Sequence, residues 1–254
     1  MTKILFTICG RAGSKGVKNK NLKDFCGCPL VYYSLSAIDL AMKKNSEWDF
    51  DIVANSDSEA LLDLICQNPF LRVEKIVRDE SLGGDAVPKI AVIYDCLTKM
   101  EEKKNKKYDM IVDLDITSPL RTVNDVVSLL ETHIRTGADV TTSVTDSRRN
   151  PYFNMVKKTE HGYKKVLESN YTARQQAPEM FDMNASLYAY NPEFLTSGKG
   201  VLDGYVECIH MYDTGILDID HVNDFELMQV IASYLFETNK DFSEIRNNII
   251  EKKY

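Results

Sequence analysis

Short apolar runs of strand length alternate with longer segments of helical period over the first part of the chain. Residues 4–9, 50–54, 72–77, 110–114 and 140–144 each read as a strand, and 4–9 and 110–114 are near-continuous apolar runs. Residues 30–43, 58–66, 87–100 and 123–134 carry apolar side chains at a period near 3.6. In the first of these, Leu30, Tyr33, Ala37, Ile38 and Ala41 share a face. In the third, Val87, Ile90, Ala91, Tyr94 and Leu97 do. The charged stretch 101–107 reads as a solvated connection.

The rhythm changes after residue 146. Residues 155–166 carry a two-strand pattern with a turn near Glu160-His-Gly162, and polar residues follow up to Met183. Residues 185–190 and 208–212 read as further strands, and 222–235 as an amphipathic helix.

Strand–helix alternation with apolar strands predicts an α/β fold: a mostly parallel sheet covered by helices on both faces. The whole chain, 1–254, is expected to form one domain, with 147–184 as a small β-rich inserted lobe that serves dimerisation or covers the substrate. In such sheets ligands bind beyond the C-terminal strand ends. The polar candidates fall there: the glycine-rich loop after the first strand, Asn55-Ser-Asp57 after the second, and Asp115-Ile-Thr-Ser-Pro119 after the fourth.

Composition adds limits. A net charge of −7 argues against a general nucleic-acid binder, and an acidic protein with a local basic loop suits a small anionic ligand. No stretch approaches the roughly eighteen apolar residues of a membrane span. The first strand begins within a few residues of Met1, so no signal peptide is expected and a cytoplasmic location is. Cys9, Cys26, Cys28, Cys66, Cys96 and Cys208 show no C-x-x-C spacing and are expected to be buried thiols, with Cys26-Gly-Cys28 a turn before the next helix.

The chemistry concentrates in two kinds of feature. The loop after the first strand holds Gly10, Gly13 and Gly16 with Arg11, Lys15, Lys18 and Lys20. Glycines let backbone N–H groups approach a ligand, and the cations suit phosphate. Its spacing matches neither G-x-G-x-x-G nor the P-loop, since Val17 follows Gly16. The second feature is two Asp-x-Asp pairs, Asp113/Asp115 and Asp218/Asp220. Carboxylates two apart on a strand end share a side, and with substrate phosphates they suit Mg²⁺. Plainer roles are a buried acid for Asp113 and a helix cap for Asp220. His133, His161, His210 and His221 are scattered and show no metal spacing.

In this order, the motifs resemble the cytidylyltransferases that activate sialic acids and related nonulosonic acids. The resemblance rests on Gly10-Arg-Ala-Gly-Ser-Lys-Gly-Val-Lys-Asn-Lys-Asn21, Arg78-Asp-Glu-Ser-Leu-Gly-Gly-Asp85, Leu114-Asp-Ile-Thr-Ser-Pro-Leu-Arg121 and Leu217-Asp-Ile-Asp220. Arg148-Arg-Asn-Pro-Tyr-Phe-Asn154, Arg174-Gln-Gln-Ala-Pro178 and Asp182-Met-Asn-Ala-Ser186 look most like the bacterial CMP-legionaminic acid synthetases. Asp115, where many sialic acid enzymes carry Gln, agrees with that branch.

The resemblance implies a three-layer α/β/α Rossmann-like nucleotidyltransferase fold and a homodimer. It implies transfer of CMP from CTP to an acidic nine-carbon sugar, by attack of the anomeric hydroxyl on the α-phosphorus with release of pyrophosphate. Arg11, Ser14, Lys15, Lys20 and Asn21 would hold the nucleotide, with Arg78 and Asp85 beside it. Asp218 and Asp220 would hold Mg²⁺, and Lys20 would act with them in catalysis. Arg174 would meet the sugar carboxylate, with Asp115, Gln175, Asn184 and Tyr188 on the rest of the sugar. Two other readings remain at this point: a glycosyltransferase using Asp113-Leu-Asp115 as its metal motif, and a nucleotide-binding regulator without catalysis.

Overall fold

A computed structural model describes residues 1–13, 16–45, 47–84 and 87–253. In chain order the strands are β1 (Lys3–Cys9), β2 (Asp24–Phe25), β3 (Cys28–Pro29), β4 (Asp49–Ser56), β5 (Glu74–Val77), β6 (Met110–Leu114), β7 (Val140–Asp146), β8 (Val156–Thr159), β9 (Gly162–Lys165), β10 (Phe181–Tyr190) and β11 (Val206–His210). The helices are α1 (Leu30–Lys44), α2 (Glu59–Cys66), α3 (Lys89–Lys104), α4 (Val123–Thr136), α5 (Pro192–Leu195), α6 (Val222–Thr238) and α7 (Lys240–Lys253).

Seven strands form one sheet in the order β11-β7-β10-β6-β1-β4-β5. Strands β6, β1, β4 and β5 run parallel. Strand β10 inserts antiparallel between β6 and β7, and β11 lies parallel to β7. The expected mostly parallel α/β sheet is therefore present, with one reversed strand near its middle.

Alternation along β1 shows why there are three layers. Ile4, Phe6 and Ile8 pack into a core shared with α1, α2, α4, α6 and α7. Leu5 and Cys9 face the opposite core, under α3 and α5. Both faces are dry, which is why the strand reads as an unbroken apolar run.

Helix α1 is buried over most of its surface, from Leu30 to Met42. Helix α7, which the sequence reading left out, covers part of it through polar anchors. Ser36 Oγ donates to Ile245 O at 2.8 Å, and Asn248 Nδ2 donates to Ser36 Oγ and Asp39 Oδ2, each at 3.0 Å. Helix α4 starts at Thr122, whose Oγ1 accepts from Asp125 N at 3.2 Å while Asp125 Oδ2 accepts from Thr122 N at 2.7 Å. Between β2 and β3, Cys26 (φ 48°) and Gly27 (φ 81°) make the expected tight turn before α1.

Three cysteines depart from the expected burial, Cys26 being half-buried. Cys66 closes α2 on its solvent side and Cys208 lies on the outward face of the edge strand β11; both are exposed. An apolar run places a residue in an element but does not choose its face. Segment 147–184 leaves the sheet as a loop with the β8–β9 hairpin and returns as the start of β10. A bulge interrupts β10 between Met183 and Tyr188, where Ala185 takes φ 53°. No described helix is long and apolar enough to cross a membrane.

Candidate active site

The parallel strands end at a cleft of about 500 Å³ lined by the β1 loop, the α3 entrance, the β6 end and residues 220–221. The sheet places it there, since loops leaving parallel strands converge on one edge.

The loop after β1 is fastened from below. Ala12 N donates to Asp57 Oδ1 at 2.7 Å, and Gly10 N donates to Asn55 O at 3.2 Å. Asn21 Nδ2 donates to Arg11 O at 3.3 Å, while Asn21 Oδ1 is buried with no hydrogen-bond partner among the described residues. A Cβ on Gly16 would stand 1.8 Å from the carbonyl oxygen of Asp220, so only glycine permits this approach. Lys20 Nζ donates to Ile219 O and lies 3.6 Å from Asp220 Oδ1. Two segments from opposite ends of the sequence thus form one wall. Ile219 N, donating to Thr117 O at 3.1 Å, joins the β6 end to it.

Asp220 is exposed to the cleft, and Asp218 lies half-buried behind it. Burial is the main influence raising the Asp218 pKa. A hydrogen bond from Thr117 opposes it, and the negative charges of Asp115 and Asp220 add to it. Carboxylates supply the hard oxygens that divalent cations take, but no group of three or more His, Cys, Asp or Glu side chains that could hold a metal is gathered among the described residues. Asp220 does not cap α6: His221 is the cap residue, and Asp224 Oδ2 accepts from Asp220 N at 3.2 Å and His221 N at 2.7 Å.

Arg78 reaches the cleft from the other side. Its Nε donates to Asn55 Oδ1 at 2.8 Å and its Nη2 to Asn55 O at 3.0 Å, fixing the guanidinium on the rim.

The second acid pair has a different surrounding. Asp113 is fully buried and accepts from Thr7 Oγ1 at 2.7 Å. Lys89, the first residue of α3, places its ammonium 2.7 Å from a carboxylate oxygen of Asp113 and 2.7 Å from one of Asp115. Asp115 Oδ1 accepts from Thr117 N at 3.0 Å and from Thr117 Oγ1 at 2.8 Å. Burial alone would raise the Asp115 carboxyl, but Lys89 and the Thr117 donors hold it well below the usual range. Burial opposes charge on Lys89 too, and the two carboxylates overcome it, so its pKa stands well above the ordinary lysine value. The space a metal would take in an Asp-x-Asp site is filled by this ammonium.

Arg121, 1% exposed, supports the β6 end from within. Its Nε donates to Ser186 Oγ at 3.1 Å, its Nη1 to Ser34 Oγ at 2.7 Å, and its Nη2 to Asp115 O at 2.5 Å. Burial pulls its pKa down to about 10.

The cleft gathers Arg11, Lys20, Asn21, Arg78, Asp115 and Asp220 from among the residues singled out in the sequence. Tyr188 sits opposite Asp113 across the β10–β6 pairing, stacked on Tyr190 with ring centres 5.9 Å apart. Arg174 and Gln175 instead line a separate cavity of about 490 Å³ formed within segment 146–181, where Arg174 Nη2 donates to Ser147 O. Asn184 is buried, its Oδ1 accepting from Ser143 Oγ at 2.5 Å and its Nδ2 directed at Met211 Sδ at 3.2 Å. Ser14, Lys15 and Asp85 lie outside the described residues. Sequence reasoning missed Lys89. Its one local signal was a cation in the first turn of a helix, where the dipole disfavours it.

A family model described as cytidylyltransferase matches residues 5–248. The chain is 32% identical over 245 residues to the post-translational flagellin modification protein B of Campylobacter coli, covering 95% of this chain and 100% of that one. It is 32% identical over 242 residues to the CMP-N,N'-diacetyllegionaminic acid synthase of Campylobacter jejuni subsp. jejuni, again covering 95% and 100%. Among solved structures, a CMP:2-keto-3-deoxy-manno-octonic acid synthetase complexed with CTP superposes with a TM-score of 0.62, at 13% identity over 92% of this chain and 99% of that one. At that identity the likeness concerns the fold.

Proposed function

The chain belongs to the cytidylyltransferase family, a family of nucleotidyltransferases, and from that premise we propose how its cleft works. The substrates are CTP and an acidic nine-carbon sugar, legionaminic acid or a close sialic acid relative, and the products are the CMP-sugar and pyrophosphate. The observation that carries this reading is the wall made by Gly16 and Lys20 against Asp220: a basic, glycine-lined phosphate cradle meeting a carboxylate pair.

Arg11, Lys20 and Arg78 take the triphosphate, with Ser14, Lys15 and Asp85 as further contacts from the family motifs. Asn21 Oδ1, buried without a partner among the described residues, offers an acceptor to a ribose hydroxyl. Asp218 and Asp220 are the residues that would hold Mg²⁺. A divalent cation there supplies charge neutralisation for the phosphates. The protein's own work is positioning and electrostatics. It aligns the anomeric hydroxyl with the α-phosphorus, so that the oxygen attacks in line and pyrophosphate leaves. The β6 end with Tyr188 forms the side on which the sugar lies. Arg174, Gln175 and Asn184 stay outside this set in a single protomer. A homodimer is part of the proposal. Exposed Met155, Val156, Tyr163, Leu167, Phe181 and Met183 in and beside the inserted lobe support it, and light scattering on an eluting peak tests it.

The deciding experiment offers a panel of nonulosonic acids with CTP and Mg²⁺ and follows pyrophosphate. Release with a legionaminic-type acid supports the reading. CTP binding without release from any acid makes the protein a regulator, and glycosyl transfer from a nucleotide-sugar makes it a glycosyltransferase.

A further inference from the structure

We propose that Lys89 is the sugar-positioning residue of the β6 end: its ammonium, held between Asp113 and Asp115, donates to a neutral oxygen of the sugar and keeps divalent cations off that acid pair.

The geometry sets the terms. Lys89 Nζ lies 2.7 Å from Asp113 Oδ2 and 2.7 Å from Asp115 Oδ2, and its side chain is still 35% exposed, on the lining of the cleft. An ammonium has three N–H donors; one goes to Asp115 Oδ2, while Asp113 Oδ2 is held as an ion-pair contact, which leaves donor capacity toward the cleft. Asp115 has both oxygens occupied already, one by Lys89 and the other by Thr117 N and Oγ1. The group this wall presents to a ligand is therefore the lysine donor, in place of the carboxylate acceptor that the sequence suggested.

Charge selects the ligand atom. Two carboxylates against the Lys89 ammonium and the buried Arg121 guanidinium, whose Nη2 donates to Asp115 O at 2.5 Å, sum to zero, so the cluster has no net attraction for a phosphate or carboxylate. The further neighbours Cys9, Tyr188 and Tyr190 stay protonated and add no charge. A neutral acceptor, a hydroxyl or an acylamino carbonyl, is what such a donor binds best. The phosphate-binding cations Arg11, Lys20 and Arg78 come from other elements. Placement of Lys89 at the first turn of α3, against the helix dipole, is tolerated because the two acids compensate it.

Metal exclusion follows from the same contacts. A cation between Asp113 and Asp115 would have to displace a fixed ammonium from a buried carboxylate, which is costly. Divalent cations are thereby confined to Asp218 and Asp220.

The sugar contact rests on the cytidylyltransferase reading; the metal exclusion does not, so two readouts are taken on K89M and K89R. The first is the number of Mn²⁺ ions bound, by electron paramagnetic resonance. K89M should bind one more Mn²⁺ than wild type, while K89R, which keeps the charge, should bind the wild-type number. The second is steady-state kinetics. K89M should raise KM for the sugar at least about tenfold while the Kd for CTP changes less than about twofold. Should K89M not fold by circular dichroism, K89Q takes its place. An unchanged Mn²⁺ count in the folded neutral variant overturns the exclusion, and an unchanged sugar KM overturns the contact. If wild type releases no pyrophosphate from any acid, the cytidylyltransferase reading fails and the sugar contact with it, and the Mn²⁺ count still decides the exclusion.

Discussion

Lys20 Nζ lies 3.6 Å from Asp220 Oδ1, joining the loop after the first strand to the segment that enters α6. The contact is partly buried on one side only, with Lys20 12% and Asp220 69% exposed at the side chain. An ion pair this open adds little to stability. Its interest is functional: the cation proposed for phosphate and the carboxylate proposed for the metal share one wall.

Removing either partner should therefore affect turnover and leave the fold alone. D220A is expected to lower kcat at least about 100-fold, the scale of losing one preorganised electrostatic group. K20A should lower kcat/KM for CTP by about 10- to 100-fold. Pyrophosphate release with saturating Mg²⁺ measures both, and unchanged circular dichroism and melting certify the fold. A fully active D220A would sink the metal assignment.

Gly16 gives a sharper steric test. In G16A the new Cβ meets a backbone carbonyl at 1.8 Å, and no side-chain rotation relieves that clash. The loop must retract from Asp220. KM for CTP should rise, while the melting temperature moves by only a few degrees because the loop is at the surface. A G16A enzyme with wild-type CTP kinetics would show that the close approach does not matter to the nucleotide.

How much of this was legible in the sequence depended on whether the cause was local. Ile4, Phe6 and Ile8 alternate with Leu5 and Cys9, and both sets are apolar, so burial on two faces could be read directly. The residues at strand ends were equally legible, because parallel topology alone sends them to one edge. The direction of β10 was not: a strand pattern carries no arrow, and its antiparallel course depends on the long excursion from 147 to 184. Helix α7 was missed because its grip on α1 includes Asn248 bonding to Ser36 and Asp39, a polar fit invisible to periodicity. Lys89 was missed for a similar reason, since its pairing with Asp113 and Asp115 joins α3 to β6. The orientation of Asn184, inward to Ser143 and Met211, was not legible either, because a motif resemblance carries no side-chain direction.

Arg121 tests the support beneath the site. Removing it in R121A strands buried acceptors on Ser34, Ser186 and Asp115 and leaves a cavity. The expected cost is about 3 kcal/mol or more. R121K should recover little, because an ammonium cannot span three acceptors arranged around a planar fork. Urea denaturation of both variants measures this, and R121K at wild-type stability would contradict the role of the fork.

His133 sets an acid limit on stability. Burial on the inner face of α4 pushes its pKa down to about 4, and its Nδ1 sits 2.9 Å from Thr141 Oγ1. The unfolded chain protonates this ring near pH 6.5, the folded chain only near pH 4. Between those values the unfolded state binds more protons, so stability falls as pH falls through the window. At its lower end the loss from this one group approaches about 3 kcal/mol. A neutral replacement of similar size, H133Q, removes the titration. Its melting temperature should be lower than wild type at pH 7.5, where the native packing is intact, and the gap should narrow as pH drops toward 4. Parallel melting curves for the two proteins across that range would show that His133 is protonated equally in the folded and unfolded states, contrary to its buried position.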